Sequence, residues 1–173
     1  MAFSISRYIY TYRLQQYEYK RGVITMQIQK INIRKTSLSD IERLIKLRLD
    51  FLTESYGENF TSDEIHKLTE QLQEYYPKHL DAGDFVAALA EIDGEIAATA
   101  FMIISEKPAN IRSFITGKTA VILNVLTYPE YRRQGIATKL LELLIDEAKK
   151  ADASYIELSA SLMGKSVFKL PHE

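Results

Sequence analysis

Six consecutive residues, Arg132-Arg133-Gln134-Gly135-Ile136-Ala137, stand between an apolar run and the most regular amphipathic stretch of the chain. Upstream, Thr119 to Thr127 is almost continuously apolar, the composition of a central strand buried on both faces. Downstream, Ile136, Ala137, Leu140, Leu141, Leu144, Ile145 and Ala148 recur with a 3.6-residue period, and the helix they predict ends on Lys149 and Lys150, which suit the negative pole of its dipole. A strand, a short turn and a helix in this order present the unpaired N–H groups of the first helical turn at one point. That point binds anions. Gly135 carries no Cβ and lets a pyrophosphate approach, Ala137 keeps the helix start open, and Arg132 and Arg133 add positive charge.

Composition removes several other chemistries. The chain has no cysteine, so disulfides, thiolate metal sites and a cysteine nucleophile are excluded. The three histidines, His66, His79 and His172, show no ligand spacing, and no metal is expected. Twenty-two basic and 23 acidic residues leave a net charge of −1 and are interspersed, which argues against nucleic acid or an anionic membrane as a partner. No apolar run approaches the roughly 20 residues that span a bilayer. A single soluble α/β domain in a reducing cytoplasm is the expectation.

The elements that would position the turn can be read from Met26 onward. Gln27 to Arg34 alternates with one slip and predicts a first strand. Ser37 with Asp40 resembles a capping box before a helix over 38–54, and Thr61 with Glu64 repeats the signal before a second helix that Pro77 is expected to end. Phe85 to Ile92 and Glu95 to Ile104 are joined by Asp93-Gly94, a strong hairpin signal. Ser105 to Lys118 reads as a loop, Ala153 to Ser159 as a strand after the long helix, and Gly164 to Leu170 as a last short helix. The predicted order is β-α-α-β-β-β-α-β-α.

The segment from Asn124 to Ala137, with its Pro129-Glu130-Tyr131-Arg132-Arg133 lead-in, resembles the cofactor motif of the GNAT N-acetyltransferases, Arg/Gln-x-x-Gly-x-Gly/Ala. The element order fits the same family. The resemblance implies the acyl-CoA N-acyltransferase fold: a central, mostly antiparallel sheet with flanking helices. It also implies acetyl-CoA as co-substrate, an amine as acceptor, and direct attack of the amine on the thioester. Carried over by position, the backbone of Val125, Leu126 and Thr127 would hold the pantetheine arm and thioester carbonyl. The pyrophosphate would lie on the N–H groups from Arg133 to Thr138, taking in Gln134, Gly135, Ile136 and Ala137, with Arg132 alongside. Glu157, on the strand after the motif helix, matches a general-base position of some members.

The match thins at both ends. Phe168 stands where the family commonly has a tyrosine acid, which leaves the role vacant, to water, or to another residue such as Tyr128. The chain stops at Glu173 where two further strands are usual, and this predicts an open edge on the strand from Ala153 and self-association, for instance as a homodimer. Residues 1–25, with five of the eleven tyrosines, are expected to be an extension outside the domain at 26–173, with Met26 as a candidate natural start. Beside the enzyme reading stands a second: a non-catalytic acyl-CoA-binding or sensing module on the same fold. The amine itself is not legible, because the variable helical region and the loop from Ser105 to Lys118 would select it.

Overall fold

The computed structural model describes residues 17–20, 23–26, 30–57, 60–112 and 115–158, in two compact units that divide after Lys30. In the first unit β1 (Tyr17–Lys20) pairs antiparallel with β2 (Val23–Met26), Tyr17 opposite Met26. This hairpin has no clear signal in the sequence. The helix expected over Gly164 to Leu170 lies outside the described residues.

The second unit holds a five-stranded sheet in the order β3-β4-β5-β6-β7, formed by β3 (Ile31–Lys35), β4 (Phe85–Ile92), β5 (Glu95–Glu106), β6 (Lys118–Thr127) and β7 (Ile156–Leu158). Neighbours are antiparallel except β6 and β7, which are parallel and joined through the helix α3 (Ile136–Lys150). The expected α/β architecture, a mostly antiparallel sheet with flanking helices, is the one observed. The Asp93-Gly94 hairpin is present, both residues at positive φ as a tight primed turn requires. Of the strand expected over 153–159, Ile156–Leu158 is observed; the chain before it already bonds to β6, the Ser154 N–H donating to the Lys118 carbonyl (2.8 Å) and the Tyr155 carbonyl accepting from Ala120 (3.1 Å), and Ser159 lies outside the described residues.

Two helices cover the other face. A 3-10 turn over Leu38–Asp40 leads into α1 (Ile41–Tyr56), and its capping box is closed by the Ser37 N–H donating to Asp40 (3.0 Å). Helix α2 (Ser62–Ala82) starts at the Thr61/Glu64 box and stops at Gly83, whose φ of 75° is left-handed. The expectation that Pro77 ends this helix is corrected: Pro77 lies inside it. The N–H that proline lacks would have served the carbonyl of exposed Gln73, which water can satisfy, while Tyr76 and Leu80 hold the helix on either side of the defect.

The sheet faces are packed with different volumes. Beneath α3 lie Ala88, Ala90, Ala98, Ala100 and Ala120, so Leu140, Leu144 and Ala148 approach the sheet closely. Beneath α1 and α2 lie Phe85, Leu89 and Phe101 with Tyr76, their rings at 5.2–6.1 Å in edge and tilted contacts. Arg34 on β3 ties this frame together, donating to Asp40 (2.8 and 2.9 Å) and to Glu91 on β4 (2.7 Å). The Arg34 guanidinium holds the buried Asp40 carboxyl down to about 2.

Candidate functional site

β6 is not a regular strand, and its irregularity builds the site. Thr99 pairs with Leu126 and Phe101 with Leu123, so two steps on β5 face three on β6. The additional residue is a bulge at Asn124, whose φ is +53°. The bulge reverses the phase of the side chains. Ile122 and Val125 both pack on the α3 side, whereas Leu123 and Tyr128 both pack on the α1/α2 side, pairings that an unbroken alternation forbids. Asparagine is among the few non-glycine residues that take the left-handed conformation readily, and Asn124 was the signal within the apolar run.

Past Ile122 the β7-side edge of β6 is, among the described residues, an unpaired gap. The two strands pair only at Ala120↔Ile156, Val121↔Glu157 and Ile122↔Leu158, so among the described residues Leu123 to Thr127 have no strand partner on that edge. The Tyr128 N–H donates to the Ala97 carbonyl on β5 (3.1 Å). By alternation the N–H and C=O of Thr127 face the gap, while those of Leu126, paired with Thr99, face β5. Of the sequence-derived trio, Thr127 presents backbone groups to the gap, Val125 sits at the bulge, and buried Leu126 carries the pairing that holds them.

The turn follows directly. A 3-10 turn, Pro129–Tyr131, leads to Arg133 at φ +60° and Gly135 at φ +74°. Gly135 caps α3, and a Cβ there would meet nothing within 4 Å, so glycine is required by the backbone angle and open space lies in front of it. The Lys139 N–H donating to Gly135 (3.3 Å) opens the helical ladder, which leaves the N–H groups of Ile136, Ala137 and Thr138 without intrahelical acceptors. The Gln134 amide donates to the Glu130 carbonyl (3.3 Å) and braces the turn.

Three polar contacts join α1 to this segment, and none was legible in sequence because the partners lie 76–78 residues apart. Arg48 donates to the Asn124 side-chain oxygen (3.1 Å), Tyr128 donates its hydroxyl to Asp50 (2.5 Å), and Arg132 donates to Glu54 (2.6 Å). Asp50 also accepts from Lys46 (2.5 Å), whose ammonium stands 5.8 Å over the Tyr128 ring. Burial, with the Asp50 carboxylate beside it, raises the Tyr128 pKa above its ordinary value. Arg132 also donates Nε–H to the Thr127 carbonyl (2.8 Å).

Glu157 is exposed at the closed end of the gap. Its neighbours Ile156 and Leu158 pack toward α3, so it points to the α1/α2 face, the face that also carries Tyr128. Yet Val121, its partner, lies roughly 20 Å from Tyr128 along β6 at about 3.3 Å per residue. The structure does not bring Glu157 and Tyr128 together. Among the described residues no group of three or more metal-ligating side chains occurs and no helix is long and apolar enough to cross a membrane.

Residues 49–163 match the model of the Acetyltransferase (GNAT) family, a span that contains the bulged strand, the turn, α3 and β7. The chain belongs to the GNAT acetyltransferase family. Solved GNAT-like structures agree. A predicted acetyltransferase from Clostridium acetobutylicum, crystallised with acetyl-CoA, is 31% identical over 81% of this chain and 87% of its own, with a TM-score of 0.72. At the level of fold, a GCN5-related N-acetyltransferase from Ralstonia eutropha JMP134 (19% identity, 83% and 95% coverage, TM-score 0.69) and glucosamine-6-phosphate N-acetyltransferase from Arabidopsis thaliana (23%, 84% and 94%, 0.56) are also similar. Among curated proteins none matches the sequence.

Proposed function

We propose that this GNAT protein is an N-acetyltransferase that moves an acetyl group from acetyl-CoA to a primary amine by direct attack. The observation that carries the reading is the continuity of one surface: an edge of β6 that has no partner among the described residues, ending at Thr127, runs into a left-handed turn and the free N–H groups of α3. A ligand with a hydrogen-bonding arm and a pyrophosphate fits that sequence of donors and acceptors. The N–H groups from Arg133 to Thr138 would receive the pyrophosphate, and Val125 and Thr127 would hold the arm, positioned by Leu126.

Acetyl-CoA, when bound, supplies the thioester carbon on which the amine nitrogen forms a C–N bond as the C–S bond breaks. What this chain contributes is orientation and proton transfer. Glu157, exposed at the closed end of the gap and remote from Tyr128, is the proposed acceptor of the amine proton through a chain of water molecules along β6. Tyr128 is the candidate donor to the leaving sulfur. Its proton is engaged with Asp50 in this state, and release from that contact is part of the role. That engagement favours a second reading, an acyl-CoA-binding module without turnover.

Turnover separates the readings. Thiol release from acetyl-CoA is measured against a panel of primary amines, small molecules, peptides and proteins, and at least one should raise it well above hydrolysis. Binding of acetyl-CoA with no release for any amine would support the module; no binding would remove both.

A further inference from the structure

Arg132 occupies the arginine position of the motif, next to the free N–H groups of α3, yet its side chain is turned toward α1. Nε donates to the Thr127 carbonyl at 2.8 Å and Nη2 to Glu54 at 2.6 Å. Both ends of this contact carry meaning. The Thr127 carbonyl faces the gap beside β6, so the guanidinium stands at the gap's mouth. Glu54 lies in the last turn of α1, where no basic residue offsets the negative end of the helix dipole, so the carboxylate and the helix end attract the same cation.

We propose that Glu54 sets the affinity for acyl-CoA by holding Arg132 away from the pyrophosphate: Glu54 is a positioning residue that competes with the cofactor for one guanidinium. The inference rests on the acyl-CoA reading above. A pyrophosphate seated on Ile136, Ala137 and Thr138 brings its negative charge within a few residues of Arg132, and a guanidinium binds a phosphate or a carboxylate through the same planar fork. It cannot give its Nη2 edge to both in full. Both partners are partly exposed, with side chains 42% and 37% accessible, so the exchange needs no unfolding of core. The competition is modest in size, as befits an exposed pair.

The test is a double-mutant cycle on CoA binding by calorimetry with the full chain. Glu54→Gln should tighten CoA binding by roughly two- to fivefold, the scale of an exposed ion pair. Arg132→Gln should weaken it, and Glu54→Gln should add nothing in the Arg132→Gln background. Glu54→Asp, which keeps the charge, should stay nearest to wild type. Pantetheine, which has no pyrophosphate, should bind wild type and Glu54→Gln with the same Kd, whereas a general change in α1 docking would alter both ligands. Glu54→Gln binding CoA no more tightly than wild type, or tightening it equally without Arg132, would overturn the proposal. Wild-type protein that does not bind CoA would instead remove the acyl-CoA reading itself.

Discussion

Asn124 is the residue on which the geometry of the gap turns, and replacing it by alanine and by glycine isolates the reason. Both substitutions delete the carboxamide, hence the 3.1 Å bond from Arg48 and the buried, unpartnered Nδ2, so those contributions cancel between the two variants. What differs is one Cβ at φ +53°. A left-handed backbone costs an ordinary L-residue about 1–2 kcal/mol, while the greater freedom of glycine in the unfolded chain costs about 0.5–1 kcal/mol. The glycine variant should therefore be the more stable by about 0.5–1 kcal/mol, the reverse of the order at a regular strand position. With a urea m-value of about 1–3 kcal/mol/M the midpoints should differ by a few tenths molar. Alanine relieves its strain by straightening β6, which would restore the side-chain alternation and turn Thr127 away from the gap. The alanine variant should then also bind CoA more weakly than the glycine variant. An alanine variant as stable as glycine, with equal CoA binding, would show that the bulge is not held by the residue at its centre.

Other expectations follow from named contacts. Asp40 has its pKa lowered from 3.8 to about 2, so its contribution is complete above pH ~4 and is lost as pH falls through about 2. Integrated, that linkage is about 2 kcal/mol, and Asp40→Asn should flatten the acid limb of stability measured by urea unfolding between pH 2 and 5. Glu157→Gln should lower kcat by roughly 10²–10⁴ with CoA binding intact, and near wild-type turnover would remove the base assignment. A chain beginning at Met26, which lacks β1 and most of β2, should keep CoA binding, tested by thermal shift. Light scattering on both chains should show the same dimer if the sheet edge is the interface, and two monomers would contradict it.

Local signals made the donor half of the site readable. The turn from Arg132 to Ala137, the α3 period and the Asp93-Gly94 hairpin are set by neighbours in sequence, and each appears in the fold. The Glu64 and Asp40 caps are equally local. Pro77 misled because the defect it creates falls on a hydrated face while the aromatic cluster below holds the helix. The phase reversal at Asn124 was announced by one polar residue in an apolar run, but which of Val125, Leu126 and Thr127 faces the gap depends on the register with β5. Arg48, Asp50 and Glu54 were invisible as site residues. Each is an ordinary charged position on an amphipathic helix until α1 is laid across β6, and only then does Arg132 acquire Glu54 as a partner.

Calorimetric titration of CoA into the wild-type chain and into Gly135→Glu is the most direct measurement. Wild type should bind and, at 100 times its Kd, gain about 2.7 kcal/mol of stability. Gly135→Glu places a carboxylate in the open space before α3, where a Cβ meets no protein atom within 4 Å, and should show no binding while its circular dichroism remains that of folded protein. Folded wild-type protein with neither heat nor thermal shift at millimolar CoA, or a folded Gly135→Glu that binds as well as wild type, would contradict the assignment of this turn to an acyl-CoA pyrophosphate.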